Sequence, residues 1–103
     1  MKTYLSVLRN LVVTEVIKIH DYVQIVFEND IGINVYNDYE VYGIEDVKLL
    51  NGIRVVDIQD DKKFIKIDFE QNRSLIIDLN DKSYHGPEAM VLYIPGKPII
   101  VWN

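Results

Sequence analysis

Alternation of apolar and polar side chains, the period of a β-strand, runs through most of this chain. In residues 23–28, Gln24 and Glu28 face away from the apolar side chains, and residues 64–70 repeat this arrangement. The apolar face of these segments, continued by the next strand, is the predicted core: Val23, Ile25, Phe27, Ile65, Ile67, Phe69, Leu75 and Ile77.

Short alternating segments separated by polar turns predict a mainly β fold, all-β or α+β, built from antiparallel meanders. About eight strands are expected: residues 13–19, 23–28, 31–36, 52–59, 64–70, 74–79, 89–94 and 98–102. With 103 residues, the chain forms a single domain over residues 1–103. A small barrel and a two-sheet sandwich both stay open, because alternation does not encode which strands pair.

The chain also contains two similar three-strand units, residues 10–38 and residues 51–81. In each unit one strand ends in Phe-Glu, and the unit itself ends in Asn-Asp. The two units are offset by about 42 residues. An internal duplication explains this parallel, and so does the general similarity of any two β-meanders.

Three non-strand features complete the predicted fold. Residues 3–11 predict a short N-terminal helix that covers an open end of the sheets, and residues 44–50 predict another turn or two of helix. Pro95, Gly96 and Lys97 predict a tight turn before the last strand. Trp102 is expected to pack against the domain.

Charge and composition exclude several classes of function. Lysine and arginine number 11 against 16 aspartates and glutamates, a net charge of −5, and this disfavours nucleic acid as a partner. No apolar run is long enough for a secretory signal or a membrane span, so a cytoplasmic location without membrane contact is expected. Cysteine is absent, which excludes disulfides, thiolate metal sites and thiol catalysis.

The remaining candidate catalytic residues are explained better by structural roles in turns than by catalysis. His20 and His85 both lie at predicted turns, and the segment His85-Gly86-Pro87-Glu88 is interpreted as a corner that leads into a strand beginning at Glu88. The acidic turns match no calcium loop, and no glycine-rich phosphate loop is present. The sequence therefore predicts no enzyme, no cofactor and no metal site.

Residues 36–46 carry three tyrosines at intervals of three among four carboxylates. Tyrosine supplies rigid contact area with a polar tip, and carboxylates attract basic partners. This stretch predicts a partner-binding face or, in the alternative, a solvated loop whose tyrosines cover the core. The candidate binding residues are Tyr36, Asp38, Tyr39, Glu40, Tyr42, Glu45 and Asp46.

Two segments, DYVQIVFE at residues 21–28 and GPEAMVLYIPGKPIIVW at residues 86–102, resemble parts of small all-β bacterial proteins to which no activity is assigned. The resemblance covers about a third of the chain. It implies an all-β fold and a bacterial origin, and it brings no ligand and no catalytic residue.

Two functions from different classes are consistent with these features. The first is a non-enzymatic acidic protein-binding module, such as an immunity or inhibitor protein that neutralises a basic toxin. The alternative is a homo-oligomeric structural or assembly module, in which two copies bury a strand edge such as residues 98–102.

Overall fold

The computed structural model describes residues 4–103, which form two antiparallel sheets connected by turns and short 3-10 segments. The prediction of a mainly β domain is confirmed. The strands are β1 (Val13–Ile19), β2 (Tyr22–Phe27), β3 (Gly32–Val35), β4 (Tyr39–Tyr42), β5 (Val55–Asp60), β6 (Phe64–Phe69), β7 (Arg73–Asp78), β8 (Met90–Tyr93) and β9 (Ile100–Trp102). The 3-10 segments are Tyr4–Leu8, Glu28–Asp30, Val47–Leu50 and Asp81–Ser83.

Each sheet is completed by strands that follow the other unit along the chain. Sheet A has five strands in the order β1-β2-β3-β8-β9, and sheet B has four strands in the order β4-β7-β6-β5. β4, which follows residues 10–38, pairs with β7 of the second meander, and β8, which follows residues 51–81, pairs with β3 of the first. Of the two arrangements that the sequence left open, the chain adopts two sheets that do not close into a barrel.

Backbone hydrogen bonds relate the two meanders by a local two-fold symmetry. The N–H of Val13 donates to the carbonyl of Ile53 at 2.9 Å, and the N–H of Val55 donates to the carbonyl of Leu11 at the same distance. Val55 lies 42 residues after Val13, and Ile53 lies 42 residues after Leu11. The second bond therefore joins the same two positions as the first, with the roles of the two units interchanged. Two further pairs of backbone bonds follow this rule. The N–H of Asn10 donates to the carbonyl of Val55, and the N–H of Gly52 donates to the carbonyl of Val13. Within the units, the N–H of Glu28 donates to the carbonyl of Val12, and the N–H of Glu70 donates to the carbonyl of Arg54.

The two units are therefore equivalent in their geometry. A β-bulge follows Val13 in β1, and a second bulge follows Val55 in β5. The residues paired with Val13 and Val55 are Phe27 and Phe69 respectively. That residues 10–38 and 51–81 descend from one ancestral unit stays a prediction.

The predicted core is confirmed, because each of its eight members is buried between the sheets. Leu5 and Leu8 of the first 3-10 segment are fully buried as well, and so is Leu50 of the third. Thr3, which begins the predicted N-terminal helix, lies outside the described residues. Trp102 packs against the core and stays partly exposed.

Two details of the sequence prediction need correction. Residues 39–42, which were not assigned to any of the predicted strands, form β4 because β7 lies beside them to complete their backbone hydrogen bonds. Glu88 does not begin a strand, since β8 starts at Met90. The turn at Gly96 forms as predicted, with a positive φ of 78°.

Gly43 ends β4 at a point where only glycine fits. Its φ is +81°, and a Cβ atom there would lie 2.4 Å from the backbone oxygen of Asn72. Gly52 has a similar φ of +85°, but a Cβ atom there would meet nothing within 4 Å. Substitution of the two glycines by alanine thus separates the free-energy cost of the left-handed backbone conformation from the free-energy cost of a steric clash.

We expect Gly52→Ala to lower the free energy of unfolding by about 1 kcal/mol, the cost of a left-handed φ for alanine. Gly43→Ala should lower it by about 3 kcal/mol, because the same backbone cost is joined by a clash that moves the start of β7. Urea unfolding of the two variants measures the difference. Equal losses would show that sheet B does not hold β4 as tightly as described.

Candidate functional site

Two connections that carry the chain between the sheets run side by side. The first comprises residues 36–38, between β3 and β4, and the second comprises residues 79–89, between β7 and β8. The backbone N–H groups of Tyr36 and Asn37 donate to the carbonyl of Ala89, and the N–H of Asp38 donates to the carbonyl of Ser83 at 3.2 Å. The strand exchange thus brings these two connections into direct backbone contact.

Asn37 lies at the centre of this crossing and is only 2% exposed. Its side-chain amide donates to the backbone oxygen of Asp78 at 2.8 Å, which ties the first connection to β7. Its side-chain oxygen Oδ1 is buried and has no hydrogen-bond partner within the described residues. Buried polar atoms without partners are rare in folded proteins and cost about 1–3 kcal/mol.

The carboxylate of Asp78 is held by three donors. The backbone N–H of Asn80 donates to Oδ1 at 2.9 Å, and the side-chain amide of Asn80 donates to the same oxygen at 2.7 Å. The hydroxyl of Ser83 donates to Oδ2 at 2.7 Å. The backbone N–H of Asn80, followed by the Ser83 hydroxyl, lowers the pKa of Asp78 below its ordinary value, although partial burial opposes this. Asp78 therefore stays negatively charged at neutral pH.

His85 reaches across the crossing to Asp38. The distance from Nε2 of His85 to Oδ1 of Asp38 is 2.6 Å, and more than half of each side chain is exposed. A carboxylate only accepts hydrogen bonds, so Nε2 carries the proton in this pair. The segment from His85 to Glu88 bends as a corner, as predicted, and this corner also positions an imidazole beside a carboxylate.

Three adjoining concavities surround the crossing, with volumes of about 350, 120 and 390 Å³. The first and second share Asp21, Tyr36 and His85, and the first and third share Asp38 and Tyr39. The three concavities adjoin at these shared residues. We name the set of three the crossover groove, and its central lining residues are Asp21, Tyr36, Asp38, Tyr39, Asp78 and His85.

The crossover groove is acidic and aromatic. Five carboxylates line it against two lysines, Lys18 and Lys63. Lys18 lies 3.6 Å from the carboxylate of Asp46. The rings of Tyr22 and Tyr36 are stacked at a tilt, with their centroids 5.0 Å apart. The groove thus offers negative charge beside large flat side chains.

The structure divides the candidate binding residues between two regions. Tyr36, Asp38, Tyr39 and Glu40 line the crossover groove, with Tyr39 packed against the core. The other three candidates lie elsewhere on the surface: Tyr42, Glu45 and Asp46.

The alternation of β4 explains part of this division. Tyr42 faces outward from sheet B and donates its hydroxyl to Glu40, and this bond to a carboxylate raises the pKa of Tyr42. Asp46 caps the 3-10 segment Val47–Leu50 by accepting the N–H of Lys48 at 3.0 Å. That bond, followed by the attraction of Lys18, lowers the pKa of Asp46 against the opposing effect of partial burial.

Sequence reasoning did not predict four residues of the groove: Asp21, Asn37, Asp78 and His85. They come from four separate segments, and only the folded chain brings them together. One signal was present, because the Asn-Asp pair at positions 37–38 marked the end of the first meander. That pair lies where the chain leaves sheet A for sheet B.

Among residues 4–103, no three His, Asp or Glu side chains converge in a way that could hold a metal ion. None of the helical segments in the described range is long and apolar enough to cross a lipid bilayer. The chain matches no known family model, no curated protein and no solved structure.

We expect Ser83→Ala to lower the free energy of unfolding by about 1–2 kcal/mol at pH 7, because a nearly buried hydroxyl loses its bond to a charged carboxylate. The folded pKa of Asp78 lies below its unfolded value of about 3.9, so this stabilisation is present above that pH and is lost as the pH falls through the folded pKa. The gap between wild type and variant should therefore shrink in acid.

Two measurements check this expectation, namely urea unfolding across a pH series and an NMR titration of the Asp78 carboxyl carbon. The pKa of Asp78 should move up toward its ordinary value in Ser83→Ala. The control is Ser6→Ala, which changes an exposed hydroxyl and should alter stability by less than about 0.5 kcal/mol. An unchanged pKa of Asp78 in Ser83→Ala would contradict the hydrogen bond.

Proposed function

We propose that this chain is a cytoplasmic, non-enzymatic protein-binding module that docks a basic segment of a partner protein in the crossover groove. Its class would be that of immunity or inhibitor proteins, which neutralise a partner such as a basic toxin by covering its functional surface. The observation that carries the proposal is the lining of the groove, where five carboxylates stand against two lysines beside the contacting rings of Tyr22 and Tyr36.

Charge supports a basic partner over any other kind. Asp78 keeps its negative charge through its three hydrogen bonds, and Asp38 is exposed at the centre of the groove. Such an arrangement attracts lysine and arginine side chains over long range, which raises the rate of association. Salt screens this attraction within about 8 Å at physiological ionic strength.

The hydrogen-bonding groups of the groove also match a basic side chain. Carboxylates accept hydrogen bonds and cannot donate them, whereas a guanidinium carries five donors and no acceptor. Asp38 and Glu40 line the groove with exposed carboxylates that can accept such bonds. The faces of Tyr36 and Tyr22 can hold a cation by attraction to the ring, which adds about 0.5–1 kcal/mol at an exposed site.

The hydroxyl groups near the groove support a binding role over a catalytic one. A histidine and carboxylate pair activates a nucleophile when a hydroxyl lies within hydrogen-bond reach of the imidazole. Ser83, the serine of this connection, is 5% exposed and donates its hydroxyl to Asp78. We therefore assign His85 to the wall of a binding groove. The alternative function is a homo-oligomeric assembly module, in which two copies bury a strand edge such as residues 98–102, where β9 is the edge strand of sheet A.

The test is a titration of the protein with an oligoarginine peptide, followed by NMR of the backbone amides. We expect shifts at Asp21, Asp38 and Tyr39, and an affinity that falls as salt is added. Asp38→Asn should weaken binding by about fivefold, the effect of removing about 1 kcal/mol of charge attraction.

The matched control is Asp57→Asn. Asp57 is as exposed as Asp38 and is likewise paired with a basic side chain, Arg9 at 2.9 Å, but it lies on β5 away from the groove. This variant should bind the peptide like the wild type. An equal loss of peptide affinity in both variants would show that only the net charge matters, and it would contradict a function of the groove. The absence of peptide-induced amide shifts in the groove would contradict it as well. An oligoglutamate peptide should not bind.

A further inference from the structure

The two-fold relation between the meanders extends to the strand that follows each unit. In sheet A, Met90 of β8 pairs with Val35 of β3, and in sheet B, Tyr39 of β4 pairs with Ile77 of β7. Ile77 lies 42 residues after Val35, which is the offset between the two units. β4 therefore occupies the place in sheet B that β8 occupies in sheet A.

The two sheets differ in what lies beyond these strands. In sheet A, β9 pairs with the outer edge of β8, where Ile100 lies opposite Leu92. Leu92 is fully buried, and Ile100 packs against the same core. In sheet B, β4 is the last strand, so the corresponding place holds no strand of residues 4–103. Val41 of β4 corresponds to Leu92, and its side chain packs against the core but stays partly exposed.

The backbone groups of Val41 are directed at this open edge. Antiparallel strands bond to one neighbour through alternate residues. The N–H of Asp78 donates to the carbonyl of Asp38 at 3.0 Å. Every second residue from Asp38, namely Glu40 and Tyr42, therefore directs its N–H and C=O groups at β7. Val41 lies between them and directs its own N–H and C=O groups away from β7.

The open edge has a defined start. In sheet A, the N–H of Ala89 donates to the carbonyl of Trp102, at the end of β9. The corresponding N–H in sheet B is that of Asp38, and it donates to the carbonyl of Ser83 at 3.2 Å. The second connection thus takes the place of the last residue of β9, and the rest of the edge stays open.

Negative charge borders the open edge. Glu40 points outward from β4 and is exposed, and Asp38, two residues before it, is exposed as well. Glu45 is exposed three residues after β4 ends. Opposite charges on directly paired residues stabilise a sheet, and like charges destabilise it. A strand with a basic residue opposite Glu40 therefore fits this edge, whereas β4 of a second copy brings its own Glu40 and fits it less well.

We propose that an extended basic segment of a partner protein adds to sheet B as a strand antiparallel to β4, in the place that β9 takes beside β8. The segment alternates basic and apolar residues, so that an apolar side chain covers Val41 and a basic side chain lies opposite Glu40. Addition of a strand to an exposed sheet edge is a common form of peptide recognition, in which backbone bonds supply affinity and alternate side chains supply specificity. The inference rests on the proposed function and deepens it, since Glu40 also lines the crossover groove.

The test uses the blocked peptide Lys-Arg-Ile-Arg-Lys, whose isoleucine is placed opposite Val41 and whose second arginine is placed opposite Glu40. On binding, the N–H of Val41 should exchange more slowly with solvent, because it gains a backbone acceptor. A nuclear Overhauser effect should join the Hα atoms of Glu40 and the second arginine, which form a pair without mutual hydrogen bonds and so lie close together.

Two N-methylated forms of this peptide separate strand addition from charge attraction. Methylation of the isoleucine nitrogen removes the N–H that faces Val41 and should weaken binding by about tenfold. Methylation of the second arginine nitrogen, whose N–H faces away from β4, is the matched control and should change the affinity by less than about twofold. Equal affinities of the two methylated peptides, with amide shifts still present at Asp38, would overturn strand addition and leave the proposed function standing. Absence of binding by every peptide would overturn both.

A substitution in the protein tests the register. Glu40→Gln should lower the affinity for the peptide by about threefold, and it should not change the affinity for a peptide in which glutamine replaces the second arginine. Equal losses for the two peptides would contradict the proposed pairing. Slower exchange of the Val41 N–H as the protein alone is concentrated would place a second copy on this edge, and that result would also overturn the proposal.

Discussion

The exchange of β4 and β8 is the constraint on which the rest of this structure depends. β4 forms its antiparallel pair with β7, from the other meander, and β8 forms its pair with β3. The backbone bonds between residues 10–13 and residues 52–55 join the two units at a second place. Neither sheet can move away from the core without losing a strand that follows the other unit along the chain. Two meanders of marginal size thereby share one apolar core.

The exchange also creates the crossover groove and keeps it in place. Both connections must cross where the strands change sheets, and their backbone groups bond to each other instead of to water. Binding residues on connections held by a rigid scaffold keep their geometry without a partner, which lowers the entropic cost of association. Asn37 and Asp78 serve the fold and the groove together, since the amide of Asn37 bonds to the backbone oxygen of Asp78.

Alternation along the chain was sufficient to predict which side chains are buried, because Phe27 and Phe69 each end a strand whose period of two is unbroken on the core side. It was not sufficient to predict the exchange, since a strand pattern does not specify its neighbour. β4 was missed because it lies within the stretch rich in tyrosine and carboxylates, residues 36–46, which was interpreted as a binding face or a solvated loop. The pairing of His85 with Asp38 joins residues 47 positions apart and has no local signal. The sequence therefore predicted the candidates in residues 36–40, and the opposite wall of the groove required the fold.

The measurement that tests the exchange most directly is native-state hydrogen exchange of the backbone amides in increasing denaturant. Because β3 pairs with β8 and β4 pairs with β7, we expect the slowest amides of these four strands to share one free energy of opening, equal to that of global unfolding. A lower free energy of opening for β4 and β7 than for β3 and β8 would show that sheet B unfolds alone. That result would contradict the account, since interlocked sheets must open together.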